Sequence, residues 1–252
     1  NRARYAETLF QKRKRRGVAY SDALKLMRER NYFGAAMVEL GDADAMISGL
    51  TRNYGDAIRP ALQVIGVDDG VNNIAGMYIV MTKQGPFFFA DTTVNYDPTP
   101  QELVDITILV EKIVKRFKVK PRIAFLSYSN FGSSEGEDAV KMREAVRLLH
   151  NQYPDIIVDG EVQANFALNR SLMRERFPFS ELSKKKTNTL IFPNLSAGNI
   201  SYKLMQELGG AEVIGPILLG MKKPVHVLQI GSSVREIVNM VAIAAADVQT
   251  RK

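Results

Sequence analysis

An amide and an ammonium group four residues apart, on Asn199 and Lys203, could together bind an anion near the start of a helix. Ser196 is a candidate N-cap for this helix, and Gly209-Gly210 supplies its C-terminal stop. Apolar residues recur every four positions and predict its buried stripe: Ile200, Leu204 and Leu208. Residues four apart share a helix face, and the helix start adds the positive end of its dipole. A solvated polar face explains the same spacing equally well.

A second turn from strand to helix follows near the C-terminal end. Val225 to Leu228 predicts a short apolar strand, Gln229-Ile230-Gly231 a bend, and Ser233-x-x-Glu236 a capping box. The helix after it has a predicted buried stripe at spacings of four, three and four: Ile237, Val241, Ala244 and Val248.

The middle of the chain alternates helix and strand. The predicted elements are helix 101–117, strand 122–126, helix 137–149, strand 156–159 and a helix around 163–172. This alternation predicts a parallel sheet with helices on its faces, in which ligands bind beyond the carboxyl ends of the strands. The loop from Ser127 to Ser134 lies at such an end, and its small residues would let backbone N–H groups approach a phosphate or an amide. It matches neither a Walker loop nor a dinucleotide motif.

The first part of the chain combines basic helices with short apolar runs. We expect helices at 2–16 and 21–30, strands at 35–40 and 45–48, and a hairpin-like pair at 74–80 and 86–90. Asp42 and Asp44 could suggest a metal loop, but turn-forming aspartates are far commoner and no further carboxylate supports a metal. Two prolines in Asp97-Pro98-Thr99-Pro100 mark a domain boundary, and Thr99-Pro100 opens the next helix.

Composition excludes several classes of function. None of the 252 residues is a cysteine, which excludes disulfides and a Cys nucleophile and favours a cytoplasmic location. With only His150 and His226 present, a Ser-His-Asp triad or a His-based metal site is improbable. No apolar run is long enough to span a membrane.

The net charge of +7 comes from the first 30 residues, where ten Lys/Arg face three Asp/Glu. Lys12 to Arg16 could mark nucleic-acid binding, but a solvated helix face is favoured, so we expect no nucleic-acid partner.

Several blocks, quoted in chain order, resemble the motifs of phosphate acetyltransferases: SGLTRNYGDAIRPALQVIG, ADTTVNYDPTPQEL, PRIAFLSYSNFGSSEG, DGEVQANFALN, PNLSAGNISYKL, AEVIGPILLGMKKPV and GSSVREI. These enzymes join acetyl phosphate and coenzyme A. Two segments look most like the acetyltransferase-like C-terminal domain of hybrid malic enzymes: NYFGAAMVELGDADAMISGLTRNY and KKPVHVLQIGSSVREIVNMVAIAAAD. A malic-enzyme catalytic domain is then expected upstream of this chain.

The resemblance implies a three-layer αβα fold of the isocitrate and isopropylmalate dehydrogenase type. Residues 1–97 with 224–252 would form one subdomain and 98–223 the other, with a ligand cleft between them and dimers, or multiples of dimers, as the assembly. Acetyl-CoA or CoA would be the ligand, and this domain would hold no cofactor or metal, since NADP and a divalent metal belong to the malic-enzyme domain. Arg59 matches an anion-binding arginine of the family, and a guanidinium fork suits phosphate. The ligand-binding residues implied are Thr51, Arg52, Arg59, Ser127, Tyr128, Ser129, Asn130, Gly132, Ser133, Asn194, Asn199, Lys203, Gln229 and Gly231.

The chain departs from the family at the residues that carry the chemistry. Active members have a Ser-Arg pair in the bend and an Asp three residues after the serine at the helix start, where this chain has Gln229, Ile230 and Glu236. In the family the Asp takes the thiol proton while the pair stabilises charge on the acyl group. Losing one such donor typically costs about 100- to 1,000-fold in rate. We therefore expect no catalytic residue and little acetyl transfer; the alternative is an active phosphate acetyltransferase in which Gln229, Ser232 or Ser233 supplies the donor.

Overall fold

Short apolar runs form the strands of the protein, and longer amphipathic runs form most of its helices. A computed structural model describes residues 1–51 and 53–251. The strands are β1 (Met46–Gly49), β2 (Ala75–Thr82), β3 (Gly85–Ala90), β4 (Ile123–Leu126), β5 (Val158–Val162), β6 (Thr189–Ile191), β7 (Glu212–Leu219) and β8 (Val225–Leu228). The helices are α1 (Arg2–Arg13), α2 (Tyr20–Leu26), α3 (Arg30–Glu39), α4 (Tyr54–Val64), α5 (Pro100–Arg116), α6 (Glu137–Gln152), α7 (Ala164–Leu168), α8 (Arg170–Arg176), α9 (Glu181–Lys184), α10 (Leu195–Glu207) and α11 (Val234–Arg251).

The chain divides into two units, of which the first is discontinuous. Residues 1–72, together with the chain from Gly215 onward, form the first unit, and residues 73–214 form the second. These boundaries lie earlier in the chain than the predicted ones near 97 and 224. The first boundary differs because β3 pairs with β6, which ties the whole β2–β3 hairpin to the second unit.

The second unit is organised around a mixed sheet with the strand order β5-β4-β6-β3-β2-β7. β4 lies parallel to both β5 and β6, and β3 lies parallel to β6. β2 runs antiparallel to β3, as the predicted hairpin requires. The carboxyl ends of β5, β4, β6 and β3 therefore meet at one edge of the sheet, where ligands bind in sheets of this kind.

Helix α10 packs on this sheet through a face that the sequence pattern did not identify. Tyr202 is 1% exposed and stacks on Tyr78 of β2 with ring centroids 4.0 Å apart. The predicted buried stripe was wrong, since Ile200, Leu204 and Leu208 are 56%, 51% and 83% exposed. Tyr202 faces the sheet because its large ring covers more of the sheet than an aliphatic side chain would. Gly198, which is also buried, has no side chain and lets the helix pack closely there.

The cap of α10 also differs from the prediction. The helix begins two residues before the expected position, and the side chain of Asn194, not Ser196, accepts a hydrogen bond from the Ala197 N–H at 3.0 Å. Both residue types are good N-caps, so the pattern alone could not choose between them.

The first unit contains a two-stranded parallel sheet, β1 with β8, together with helices α1 to α4 and α11. The strand predicted at Ala35–Leu40 was wrong, because Ala35 and Ala36 are buried within α3. Small side chains there suit close helix packing, and the ring of Phe33 meets Tyr5 of α1 edge-on at 4.9 Å. A short apolar run fits a buried helix as well as a strand.

The turn after α3 is held by an ion pair and a hydrogen bond to Asp42. Asp42 accepts hydrogen bonds from Tyr5, at 2.7 Å, and from Arg4. These bonds lower the pKa of Asp42, the one from Tyr5 having the larger effect.

Helix α11 starts at the predicted capping box and buries part of the predicted stripe. Ala244 is buried as predicted, and Ile237 and Val248 are partly buried. The Ser233 N–H donates to Glu236 at 2.5 Å, and the Glu236 N–H donates to the Ser233 hydroxyl at 3.2 Å. Met240 and Ala244 are buried, whereas Val241, predicted to be buried, is 52% exposed.

Several other elements confirm their predictions with small shifts. The capping box of α5 joins Thr99 to Glu102, and β8 has the predicted bounds. β5 starts two residues later than expected. The helix predicted around 163–172 is two short helices, because Asn169 ends α7 and its side chain caps α8 by accepting from the Leu172 N–H. Within the described residues every helix is too short or too polar to span a bilayer.

His226 makes the stability of the first unit sensitive to acid. The side chain is 1% exposed on β8, and its Nδ1 accepts the Leu218 N–H at 3.3 Å. Burial lowers its pKa from 6.5 to about 4. The folded state thus holds the neutral imidazole, whereas the unfolded chain binds a proton below its ordinary pKa.

We therefore expect the free energy of unfolding to fall as the pH drops from 6.5 towards 4, with His226 contributing up to about 3 kcal/mol. His226→Asn keeps an acceptor for the Leu218 N–H but cannot titrate in this range. Urea unfolding of both proteins across this pH range should show a shallower loss in the variant. Parallel losses would contradict the assignment.

Candidate functional site

Four segments that follow parallel strands meet at one edge of the second unit. They are the Asp91–Asn95 turn after β3, the Ser127–Ser134 loop after β4, Gln163 after β5 and the start of α10 after β6. The Gln163 N–H donates to the side chain of Asn130 at 2.9 Å, and the Asn199 side chain donates to the Thr92 carbonyl at 3.3 Å. The topology thus brings the predicted binding residues of the second unit to the same edge.

A polar cavity of about 570 Å³ opens at this edge. Two predicted ligand residues line it, Tyr128, which is 59% exposed, and Asn194. The full lining is Tyr96, Asp97, Tyr128, Glu137, Asp138, Asn194 and Ser196. Lys141 pairs with Asp97 at 2.5 Å and with Asp138 at 2.9 Å. Because carboxylates outnumber cations here, the wall suits the amide and hydroxyl groups of a ligand better than its phosphates.

The Ser127–Ser134 loop directs much of its hydrogen-bonding capacity inward. Ser129 is wholly buried and donates to Glu161 at 2.8 Å, as does the Gly132 N–H at 2.8 Å. The Ser133 hydroxyl accepts the Asn130 N–H at 2.9 Å. The loop is therefore built around a carboxylate of the protein itself. Direct contacts of Ser127, Ser129, Gly132 and Ser133 with a ligand remain predictions.

Asn199 and Lys203 share a face of α10, as their spacing predicts, but have different surroundings. Asn199 is partly buried against the Asp91–Asn95 turn, whereas Lys203 is exposed, with its ammonium 5.2 Å from the centre of the Tyr202 ring. Lys203 is thus the cation that α10 presents to solvent near this edge.

The Asp91–Asn95 turn under α10 is fixed by one buried carboxylate that sequence reasoning did not single out. Asp91 accepts the N–H groups of Gly76, Thr93, Val94 and Asn95 at 2.8 to 3.1 Å. Burial raises its pKa in spite of these bonds. The sequence signal that could have identified Asp91 is its position directly after the apolar run Phe87–Ala90.

In the first unit, the carboxyl ends of β1 and β8 lie side by side. Gly49 pairs with Leu228, and at its φ of +116° a Cβ would stand 2.1 Å from the Leu228 carbonyl oxygen, so only glycine fits. This close approach brings the loop after Gly49, with the predicted residue Thr51, beside the Gln229–Gly231 bend. The predicted residue Arg52 lies outside the described residues.

The loop after β1 is tied to the start of α3 by an arginine that the sequence analysis missed. Arg30 donates to the Thr51 hydroxyl at 2.5 Å, and Ser48 donates to the side chain of Asn31 at 2.6 Å. Arg59 projects from α4 with its side chain 66% exposed, and its ion pair with Asp56 is loose at 3.9 Å. A guanidinium in this state keeps donors available for an anion.

The bend after β8 and the start of α11 contain the three residues that depart from the family pattern, Gln229, Ile230 and Glu236. The Gln229 carbonyl accepts the Ser232 N–H at 3.2 Å, and Ile230 is 67% exposed. The carboxylate of Glu236 caps its own helix. The most exposed side chain of the bend is therefore an aliphatic one, which offers no hydrogen bond to a developing charge.

These features define a class: an α/β protein with polar and cationic loops at the carboxyl ends of parallel strands in each of two units. The sequence profile of the phosphate acetyl/butaryl transferase family matches residues 1–245. The chain belongs to this family.

Relatives fall into two groups. The chain is 41% identical, over 98% of its length, to the NADP-dependent malic enzyme of Salmonella typhimurium, of which it covers 32%. It is 36% identical, over 94% of its length, to the phosphate acetyltransferase of Bacillus subtilis, of which it covers 73%. The chain thus spans about a third of the length of the malic enzymes that it matches.

Solved structures show the same fold. A phosphotransacetylase from Streptococcus pyogenes matches with a TM-score of 0.91 and 37% identity, over 98% of this chain and 75% of that one. A 4-hydroxythreonine-4-phosphate dehydrogenase from Klebsiella pneumoniae, at 12% identity and a TM-score of 0.52, shares the fold alone.

The close contact between α10 and the Asp91–Asn95 turn can be tested by substituting Gly198. A Cβ on Gly198 would lie 2.4 Å from the Asp91 carbonyl oxygen. Gly198→Ala should therefore destabilise the protein by about 1 to 3 kcal/mol, since the helix or the turn must shift.

Gly55→Ala is the matched control, because that helical position has open space around it. It should be neutral or stabilising by up to about 1 kcal/mol. Chemical denaturation of both variants compares them, and equal stabilities would contradict the tight contact at Gly198.

Proposed function

We propose that this chain is the phosphate acetyltransferase-family domain of a malic enzyme, and that it binds acetyl-CoA as a regulatory ligand with little or no acetyl transfer. NADP and a divalent metal ion would belong to the malate-oxidising, decarboxylating domain to which it is fused, and the whole enzyme would be cytoplasmic. The 41% identity to NADP-dependent malic enzymes supports the fusion.

One observation carries the loss of catalysis: Ile230 is 67% exposed in the bend between β8 and α11. The resemblance expects a cationic donor at this position. An aliphatic side chain there leaves a charge on the acyl group without its preorganised partner, at a cost of about 100- to 1,000-fold in rate. By contrast, Arg59 remains exposed and only loosely paired. These two features support a site that binds the ligand without catalysing its reaction.

Coupling between the ligand and the malic-enzyme domain needs little energy. A preference of acetyl-CoA for one state of the enzyme by about 1 to 3 kcal/mol changes the equilibrium constant between the two states by roughly 5- to 150-fold. This range suits a domain that passes the occupancy of its site to the domain fused to it.

The second candidate is an active phosphate acetyltransferase. The chain is also 36% identical to proteins that are named phosphate acetyltransferase and not malic enzyme, which favours this candidate. In this case the side chain of Gln229, or a hydroxyl of Ser232 or Ser233, would have to replace the missing donor.

We further propose that the protein is a homo-oligomer built from dimers. Ile200, Leu204 and Leu208 are more than half exposed at one residue per turn of α10. Such a stripe is self-complementary when two copies of the helix cross about a twofold axis. Sedimentation of Leu208→Glu should show a smaller mass than the unmodified protein, whereas Val140→Glu, at an isolated exposed position on α6, should not.

Arg59 gives the sharpest test of acetyl-CoA binding. Titration calorimetry of the unmodified protein should give a saturable isotherm with acetyl-CoA. Arg59→Ala should weaken the affinity by about tenfold or more, because one charge-assisted contact to a phosphate is lost.

Arg147→Ala is the control, since Arg147 is an exposed arginine of α6 that pairs with Glu144 at 2.7 Å. Its affinity should match that of the unmodified protein. Flat heats for every protein at high concentration would contradict the proposed function.

A further inference from the structure

The pairing of β4 with β5 contains an irregularity that isolates one acidic residue. Phe125 pairs with Gly160 and Leu126 with Val162, so Glu161 is skipped by the register. A bulge of this kind re-aims the side chain of the extra residue. Glu161 is 0% exposed, and a buried carboxylate needs partners.

Those partners all come from the Ser127–Ser134 loop and from α6. One oxygen of Glu161 accepts from the Ser129 hydroxyl and from the Gly132 N–H, both at 2.8 Å. The other accepts from Nε of Arg143 at 3.2 Å. The backbone carbonyl of Glu161 also accepts the Phe131 N–H at 2.8 Å. One residue thus binds the loop through its main chain and its side chain.

Arg143 ties the far end of the loop to the same point. Its Nη2 donates to the Ser134 carbonyl at 2.8 Å, and Nη1 donates to Glu135 at 3.3 Å. The guanidinium fork therefore connects Glu161 to the residues that lead into α6. The middle of the loop and its C-terminal end are therefore held by one ion pair.

The loop needs this support because its backbone is strained. Phe131, a residue with a side chain, has a φ of +46°, and Gly132 follows at +91°. A left-handed conformation is disfavoured for a residue like Phe131, and it persists only where the surroundings enforce it. The Phe131 and Gly132 N–H groups both point to Glu161, so the bonds to Glu161 select this conformation.

We propose that Glu161 and Arg143 are positioning residues for ligand binding: they hold the Ser127–Ser134 loop in the shape that presents Tyr128 at the cavity. The link runs through Asn130, whose side chain accepts the Gln163 N–H, and through the Tyr128 carbonyl, which accepts from the Gln163 side chain at 2.7 Å. Glu161 acts through the loop and not by touching the ligand itself, since it is 0% exposed. The inference rests on the proposed function, in which this loop contacts acetyl-CoA.

The test compares Glu161→Gln with Glu135→Gln, each as a single change in the whole chain. Both changes remove one carboxylate from Arg143, but Glu135 is 78% exposed and its carboxylate binds no N–H of the strained turn. In Glu161→Gln, hydrogen exchange of the Phe131 and Gly132 amides should speed up at least about tenfold, and the Kd for acetyl-CoA should rise about tenfold. Glu135→Gln should change neither.

A second variant guards against misfolding. Ser129→Ala removes one bond to Glu161 and leaves the ion pair intact, so both effects should appear in the same direction at smaller size. Exchange in α5 serves as the reference for the rest of the unit. A merely structural role would raise exchange in α5 as well and lower the melting temperature in step with affinity.

The outcomes separate the two claims. Unchanged exchange at Phe131 and Gly132 in Glu161→Gln overturns the inference, as does faster exchange with an unaltered Kd. If the unmodified protein gives no heat with acetyl-CoA, the proposed function is overturned, and the exchange comparison still decides whether Glu161 holds the loop.

Discussion

The parallel pairing of β4 with β5 and β6 is the constraint on which the second unit's site depends. Parallel strands end at a common edge, so the sheet brings together segments that are more than 30 residues apart in sequence. The skipped residue within that pairing then supplies Glu161, the anion around which the loop after β4 is built. Sheet register therefore decides both where the site is and how its loop is shaped.

The first unit repeats this arrangement on a smaller scale, with two parallel strands that end side by side. Gly49 allows the ends of β1 and β8 to approach closely, which places two loops side by side. The first unit also carries the cations Arg30 and Arg59 and the hydroxyl of Thr51, while Ile230 offers only aliphatic surface.

The sequence predicted most elements, the hairpin and both strand-to-helix turns, because capping boxes, prolines and glycines act locally. It failed where the outcome depends on what covers a face. Ile200, Leu204 and Leu208 do form an apolar stripe, but the stripe is exposed. Tyr202 and Gly198 are the buried residues of the helix. Periodicity identifies an apolar face of a helix and does not show what covers that face. Glu161 was missed because a register shift between two strands leaves no mark in either sequence.

Turnover of acetyl phosphate and coenzyme A, followed by thioester absorbance, tests the central claim most directly. The account predicts that the unmodified protein shows no more than the background of Arg59→Ala, and that Gln229→Ser combined with Ile230→Arg raises the rate by about 100-fold or more. Turnover by the unmodified protein far above that background, and no faster in the double variant, would contradict it.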